Sequence, residues 1–242
     1  MLEIVRNTLV CTTLCMLSIA SSAQTAASPD WGISGNLRFA TQYVTSAGYH
    51  MSNERPVIQG IVDVWHKSGL WGELWTSSYD PDAIHPSANG IEVDLMAGYT
   101  HDFTDTLSGF AILGWYIFPG SHDRTEETDS RDYEFGIKWK FLPTTSISLS
   151  TTRDFGELSS YKSLSYNTEI AHAFGHGITA HAGISYTRPD NSTRKEKTRW
   201  FARIKKSFAD GKYDVDLRYI DTNRNDSNYY DPAWIMTFGF NF

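Results

Sequence analysis

The sequence predicts an all-β protein, folded as an antiparallel up-and-down transmembrane β-barrel of about twelve strands. Three features predict it. Segments of about ten residues alternate apolar and polar side chains, the connections between them alternate between short and long, and the last residue, Phe242, ends one of these segments. Outer-membrane barrels combine strands of this kind with short periplasmic turns and longer extracellular loops.

Residues 1–23 are predicted to be a cleaved signal peptide. A largely apolar stretch is followed by small residues at Ser21 and Ala23, which suits cleavage after Ala23. The alternative is a short membrane anchor, but about thirteen apolar residues are too few to span a bilayer as a helix. Both cysteines precede the cleavage point, so the mature chain, residues 24–242, contains no thiol and forms one barrel domain.

The alternation is clearest at residues 133–141, where Tyr133, Phe135 and Ile137 share one face of a predicted strand. Successive side chains of a strand point to opposite faces, so alternation separates two environments. The predicted strands are residues 33–45, 57–66, 70–79, 91–101, 107–118, 132–141, 146–153, 163–173, 178–187, 199–208, 213–221 and 233–242. Ten residues tilted by about 45° cover about 23 Å, which matches the apolar band of an outer-membrane barrel.

The connections are sorted by length. The short ones are residues 67–69, 102–106, 142–145, 174–177 and 209–212, and the long ones are 46–56, 80–90, 119–131, 154–162, 188–198 and 222–232. In an up-and-down barrel alternate connections share a rim, so all long loops lie on one side. A soluble β-sandwich has no reason to sort its loops in this way, and the pattern therefore favours the barrel.

Aromatic residues cluster near the ends of the predicted strands, in the lipid-facing phase. Those near the long loops are Tyr43, Trp115, Tyr133, Tyr166, Tyr186, Trp200, Tyr219 and Trp234. Those near the short turns are Tyr99, Trp139, Phe141, Phe208, Tyr213, Phe240 and Phe242. Amphipathic rings favour the two membrane interfaces, so this clustering indicates two aromatic girdles. β-Propensity alone explains the number of aromatics in the strands but not their position at the ends.

The first third of the chain resembles a known family. The matching segments are Ile33-Ser34-Gly35-Asn36, Pro56-Val57-Ile58-Gln59-Gly60, Gly69-Leu70-Trp71-Gly72-Glu73-Leu74-Trp75 and Glu92-Val93-Asp94-Leu95. In their order and spacing they resemble the TorF family of proteobacterial outer-membrane porins. The resemblance implies a β-barrel porin of a Gram-negative bacterium. One departure is Ala47-Gly48-Tyr49-His50, which stands where that family has an Arg-Gly pair.

The polar phase of the strands carries many charges, and these are the predicted pore-lining residues. They are Arg38, Asp63, Glu73, Glu92, Asp94, Glu134, Lys138, Glu169, Arg203, Lys205, Asp216 and Arg218. Acidic residues dominate the second to fourth predicted strands, whereas the tenth contributes Arg203 and Lys205. If the wall closes, the two groups could face each other and set up a transverse field that selects solutes. Alternatively, the charges pair with one another and fill the interior.

Other kinds of site are less well supported. A net charge of −7 and the lack of a basic stripe argue against nucleic-acid binding. Loop carboxylates could bind calcium, but they match no EF-hand spacing; the groups are Asp80, Asp82 and His85, and Asp221, Asp226 and Asp231. His172, His176 and His181 cluster near one turn, yet His172 and His181 fall in opposite phases. No metal site and no cofactor are predicted.

Three functions follow from the predicted barrel. The favoured one is a porin-like channel for passive diffusion of small hydrophilic solutes through a charged lumen. The alternatives are a plugged structural or adhesion barrel that acts through its loops, and an outer-membrane hydrolase. No Gly-x-Ser-x-Gly nucleophile elbow occurs, so no enzyme and no catalytic residue is predicted. The expected partners are outer-membrane lipid and lipopolysaccharide, small polar solutes, and the barrel assembly machinery, for which Phe242 would be the signal.

Overall fold

The computed structural model describes residues 30–84, 89–120, 130–155, 162–191, 194–224 and 230–242. The predicted signal peptide, residues 1–23, lies outside these ranges, as do His85 and Asp226 of the two acidic loops. Within the described ranges, no helix is long and apolar enough to cross a membrane.

The chain forms a closed antiparallel barrel of twelve strands, in which each strand pairs with its neighbours in sequence and β1 pairs with β12. The predicted fold is therefore confirmed. The strands are β1 Trp31–Ala40, β2 Val57–His66, β3 Leu70–Ser78, β4 Ile91–Asp102, β5 Leu107–Ile117, β6 Ser130–Leu142, β7 Thr145–Asp154, β8 Ser163–Gly175, β9 Ile178–Pro189, β10 Lys197–Phe208, β11 Tyr213–Thr222 and β12 Ala233–Asn241. A single helical turn, α1 Pro81–Ile84, follows β3.

The connections alternate between short and long around the whole barrel. Residues 67–69, 103–106, 143–144, 176–177 and 209–212 make the short turns, and every other connection is longer. We call the rim with the short turns the turn end and the opposite rim the loop end. The chain therefore enters β1 from the turn end, and Phe242 returns to that same end.

The barrel wall carries apolar side chains on its outer face and polar side chains on its inner face, which is the reverse of a soluble protein. On the outside, Ile33 is 71% exposed and Leu113 is 59% exposed. On the inside, Glu92 and Asp94 are both 0% exposed. Alternation along each strand produces this arrangement, because neighbouring residues point to opposite faces of the sheet. An apolar exterior of this extent is typical of a barrel surrounded by lipid.

The seam between β1 and β12 is closed by the last residue. Regular pairing of the two strands covers only Asn36 to Ala40. Beyond it, the Gly35 N–H donates to the Phe242 carbonyl at 2.8 Å, and the Phe242 N–H donates to the Gly35 carbonyl at 3.0 Å. The Phe242 ring lies over Gly35, where an added Cβ would be 2.3 Å from the ring. Phe242 thus extends the outward phase of β12 and completes the closure.

The first strand was predicted to run to residue 45, and this boundary is wrong. β1 ends at Ala40, and the chain then turns into the barrel instead of continuing along its wall. Tyr43 was therefore wrongly assigned to the lipid-facing girdle, because its side chain is buried inside. The mistake has a physical cause. Tyr43 falls in the outward phase of β1, and phase alone does not tell a barrel strand from a hairpin folded into the lumen.

Candidate functional site

A short hairpin from the first long connection occupies the loop-end half of the interior. Val44 and His50 form an antiparallel bridge. The Thr45 N–H donates to the Tyr49 carbonyl at 2.9 Å, and the Met51 N–H donates to the Tyr43 carbonyl at 2.9 Å. We call residues 43–52 the inner hairpin. All of its described side chains except that of Ser46 are buried.

Its turn is specified by local sequence. Gly48 has a φ of +84°, which glycine adopts without steric penalty. A side chain there would also place its Cβ 2.6 Å from Cγ2 of Thr222 on β11. The Thr45 hydroxyl accepts the Tyr49 N–H at 3.1 Å, and the Ser52 hydroxyl accepts the Tyr43 N–H at 2.9 Å. The tip of the inner hairpin therefore fits closely against the barrel wall.

Apolar packing holds the inner hairpin as well. Its buried side chains form one cluster with inward residues of the wall: Tyr43, Val44, Ala47, Tyr49 and Met51 join Ile61, Trp75, Tyr79, Tyr116, Ile220, Tyr230 and Ile235. The rings of Tyr43 and Trp75 lie 5.5 Å apart, and those of Tyr49 and Tyr230 lie 5.0 Å apart. The apolar core of this protein thus sits inside a largely polar barrel, at its loop end.

One side of the interior is acidic. We call this the acidic wall; it consists of Glu73 on β3, Glu92 and Asp94 on β4, and Asp132 and Glu134 on β6, all buried. The Tyr43 hydroxyl donates to Glu92 Oε2 at 2.9 Å, and the Tyr116 hydroxyl donates to Asp132 Oδ2 at 3.1 Å. Neither carboxylate oxygen of Asp94 accepts a hydrogen bond from any described residue. Its inward neighbours across the sheet are the aromatic residues Trp75 and Tyr116.

The other side is basic. We call the loop-end part of it the basic wall, which consists of Lys197 and Arg199 on β10 and Arg218 on β11. Lys197 Nζ donates to the Ala47 carbonyl at 2.7 Å and lies 4.3 Å from the centre of the Tyr49 ring. Arg218 donates to the Val44 carbonyl at 2.9 Å. Arg199 lies over the ring of Phe201 at 5.4 Å.

The strand order places these two walls opposite each other. In the closed ring of twelve strands, β4 and β10 are six strands apart in either direction. The inner hairpin lies between them, with the Tyr43 hydroxyl on the acidic wall and two backbone carbonyls on the basic wall. Acidic and basic groups therefore lie on opposite sides of an inserted segment.

The turn-end half is organised differently, because its charges meet in local pairs. Arg203 on β10 forms an ion pair with Asp216 on β11. His181 Nδ1 lies 2.8 Å from Glu169 Oε1. Oppositely charged or polar groups on neighbouring strands therefore balance one another here.

All twelve predicted pore-lining residues occupy inward positions of their strands. Five of them lie in the two walls: Glu73, Glu92, Asp94, Glu134 and Arg218. The other seven lie outside the two walls: Arg38, Asp63, Lys138, Glu169, Arg203, Lys205 and Asp216. Sequence reasoning missed Lys197 and Arg199 as site residues. β10 begins at Lys197, two residues before its predicted start, and extending the inward phase of residues 201, 203 and 205 would have found both.

The other candidates take structural positions. Asp80 accepts a hydrogen bond from Asn53 at 2.9 Å and forms an ion pair with Arg55 at 2.9 Å, so it joins the connection after β3 to the connection after β1. His172 points outward and contacts Thr145, whereas His181 points inward to Glu169. Across the described ranges, no group of three or more His, Cys, Asp or Glu residues is arranged to hold a metal ion.

Comparison with known proteins agrees with the fold. The model of a family described as bacterial proteins of unknown function, Gcw_chp, matches residues 23–239. No curated protein matches the sequence. Among solved structures, the KdgM porin is similar with a TM-score of 0.60 at 10% identity, over 86% of this chain and 98% of that one. An outer membrane channel from Pseudomonas putida is similar with a TM-score of 0.54 at 13% identity, over 89% of this chain and 96% of that one.

Proposed function

Because this chain belongs to the Gcw_chp family, whose function is unknown, and shares its fold with outer-membrane channels, we propose that it is a porin-like channel. It passes small hydrophilic solutes across the outer membrane by passive diffusion. The observation that carries this proposal is the interior itself, where an acidic and a basic wall face each other inside a closed barrel. Opposed rings of charge are a usual means of selecting solutes in a pore.

The exterior supports a location in the outer membrane. Large apolar side chains cover it, including Ile33, Leu95 and Leu113, and aromatic residues such as Trp139 and Trp234 lie near its two rims. Lipid and lipopolysaccharide would surround this surface, with the turn end in the periplasm and the loop end outside. Export would rely on the predicted signal peptide, and recognition by the barrel assembly machinery on Phe242.

In this proposal the pore-lining residues form two filters in series. The acidic and basic walls act first on a solute that enters from the loop end. The locally paired charges, such as Arg203 with Asp216, act near the turn end. The function is transport, and no inward side chain is assigned a catalytic step.

A second candidate is a plugged barrel that acts through its surface loops. The inner hairpin favours it, because residues 43–52 are packed against both walls and join the apolar cluster. If this packing blocks every path, the interior has a purely structural role. The two candidates differ in one property, which is whether the folded barrel conducts ions.

Single-channel recording of the refolded full chain in planar lipid bilayers separates them. A channel gives discrete current steps in potassium chloride, whereas a plugged barrel gives none. A variant that lacks residues 45–49 is the matched test, since it shortens the inner hairpin and leaves the twelve strands intact. Steps that appear only in this variant would support the plugged barrel. Steps in the unmodified protein support the channel.

A further inference from the structure

We propose that Lys197, Arg199 and Arg218 form a binding site for the carboxylate of a small organic acid, and that the inner hairpin occupies this site in the absence of solute. The acid carries hydroxyl or ammonium groups at its other end, which the acidic wall receives. The inference rests on the proposed function, since the solute must reach the interior. It adds the chemical class of the solute and the residues that bind it.

Two cations of the basic wall are buried without a carboxylate partner among the described residues. Lys197 and Arg199 are each 6% exposed. Lys197 is held by the neutral carbonyl of Ala47 and by the faces of the Tyr49 and Tyr230 rings, at 4.3 and 5.5 Å. Buried cations are strongly unfavourable unless an anion compensates them. Lys197 and Arg199 therefore favour a negative group that the described residues beside them do not supply.

The guanidinium group of Arg199 is available to a ligand. Among the described residues, its side chain makes no hydrogen bond and no ion pair. Glu134 and Glu169 act on it only through longer-range electrostatics. Its aromatic contact with Phe201 leaves the N–H groups available. A guanidinium binds a carboxylate through two parallel hydrogen bonds, so Arg199 is the residue best suited to orient an incoming acid.

Two backbone carbonyls of the inner hairpin accept hydrogen bonds from the basic wall. The Val44 carbonyl accepts from Arg218 at 2.9 Å and the Ala47 carbonyl accepts from Lys197 at 2.7 Å. A carboxylate oxygen can accept either of these hydrogen bonds in place of the carbonyl. Hydrogen bonds between ionised partners are roughly twice as strong as neutral ones. A carboxylate can therefore replace the carbonyls and release this side of the inner hairpin.

The acidic wall defines the rest of the solute. Both oxygens of Asp94, Oε1 of Glu92 and Oε1 of Glu134 are buried and accept no hydrogen bond from a described residue. Carboxyl oxygens accept hydrogen bonds, so these atoms can receive donors from the solute. Hydroxyl and ammonium groups meet this need, whereas a polyanion would be repelled. The site consequently fits a monocarboxylate with donor groups at the end remote from the carboxylate.

The probes are gluconate, sorbitol, hexanoate and 6-aminohexanoate, added to single channels of the full-length protein. Gluconate has a carboxylate and hydroxyls, sorbitol lacks the carboxylate, and hexanoate lacks the donors. We expect gluconate or 6-aminohexanoate to reduce the current at concentrations about tenfold lower than either incomplete probe. If gluconate is the effective probe, the acidic wall receives hydroxyl groups; if 6-aminohexanoate is, it receives an ammonium group. Equal effects of gluconate, sorbitol and hexanoate would overturn the proposal.

Variants assign the effect to the residues. Arg199→Gln and Lys197→Met should each raise the half-blocking concentration by about tenfold. Lys206→Met is the matched control, because Lys206 lies on the same strand but points outward, donating to the His176 carbonyl. If Arg199→Gln and Lys197→Met behave like this control, the site is wrong. Heat-modifiable migration on gels verifies that each variant folds.

Titration calorimetry with the detergent-folded full chain separates this proposal from the proposed function. Binding of gluconate or 6-aminohexanoate that weakens about tenfold in Arg199→Gln supports the site even if the protein shows no current steps, in which case only the channel function fails. Current steps without any binding of these two acids reject the site and leave the channel function intact.

Discussion

The two halves of the barrel interior accommodate their charged side chains in different ways. At the turn end, charges lie next to their opposites on neighbouring strands, as in the Arg203–Asp216 ion pair. At the loop end, acids and bases stand on opposite walls, and the inner hairpin separates them. Local pairing stabilises a wall, whereas separation leaves groups such as Asp94 without a hydrogen-bond donor among the described residues. From this difference we expect changes at the turn end to affect mainly stability and changes at the loop end to affect mainly conductance and solute binding.

The largest expected effect is on conductance, from changes at the tip of the inner hairpin. Gly48→Val should displace the tip, since φ is +84° and a Cβ would lie 2.6 Å from Cγ2 of Thr222. We expect a several-fold rise in single-channel conductance. The control is Gly60→Ala on the outer face, where a Cβ meets Cγ2 of Thr76 at 3.4 Å. Equal conductance in both variants would show that the inner hairpin does not restrict the path.

The reverse change locks the same tip. A disulfide between Gly48→Cys and Thr222→Cys, in a chain whose Cys11 and Cys15 are changed to Ser, should lower conductance, and dithiothreitol should restore it. The proximity of the two positions suits the short Cβ–Cβ distance of a disulfide. A locked protein that conducts as well as the reduced one would mean that solutes pass a stationary hairpin.

The next effect is on the free energy of unfolding, which should fall for a variant at the turn end and stay the same or rise for a variant at the loop end. Asp216→Asn leaves Arg203 without its ion pair and should lower the free energy of unfolding by about 2 kcal/mol. Asp94→Asn removes a buried charge that has no described donor, so the free energy of unfolding should stay the same or rise. Urea unfolding in detergent micelles, followed by tryptophan fluorescence, measures both. Similar losses in the two variants would contradict the contrast between the halves.

A smaller loss is expected where the inner hairpin touches the acidic wall. Tyr43→Phe removes the hydroxyl that donates to Glu92 at 2.9 Å. The free energy of unfolding should fall by about 1 kcal/mol, the usual net contribution of a buried hydrogen bond. Tyr166→Phe is the control, because Tyr166 is 53% exposed on the outer face. The same urea experiment should show no change for the control. A Tyr43→Phe variant as stable as wild type would show that this hydrogen bond does not stabilise the fold.

The smallest effect concerns an ion pair at the loop rim, outside both walls. Arg153 donates to both oxygens of Asp190, at 2.8 and 2.5 Å, and holds the pKa of that carboxyl below its ordinary value of 3.8. A lowered pKa stabilises the folded protein above pH 3.8 and loses this contribution as the pH falls further. Melting between pH 5 and pH 2 should therefore be slightly less pH-dependent in Asp190→Asn than in wild type. A steeper dependence in the variant would be contrary to this expectation.

Much of this contrast could be predicted from the sequence. Alternation gave the strands, their phase and hence the inward position of residues such as Asp94 and Arg203. The parity of the loops gave the closed ring, and twelve strands placed the fourth opposite the tenth. Phase alone did not show which charges pair, because pairing depends on the register between strands and on side-chain direction: Arg203 stands opposite Arg218 and forms its ion pair diagonally with Asp216.

The inner hairpin could not be predicted by the same means. Tyr43 falls in the outward phase of β1, and an aromatic residue in that phase suits lipid as well as an apolar cluster in the lumen. Gly48 marks a turn but not the direction in which the turn projects. Its inward direction depends on contacts with residues more than a hundred positions away, Lys197 and Arg218. Such contacts exist only once the barrel has closed.

The central claim is that opposed charges inside this barrel line a path for solutes. Single-channel recording of the refolded, unmodified chain in planar bilayers tests it most directly. We predict discrete current steps in potassium chloride, with a conductance that changes when Arg199→Gln alters the basic wall. Correctly folded barrels that insert into the bilayer and give no current steps would contradict the claim.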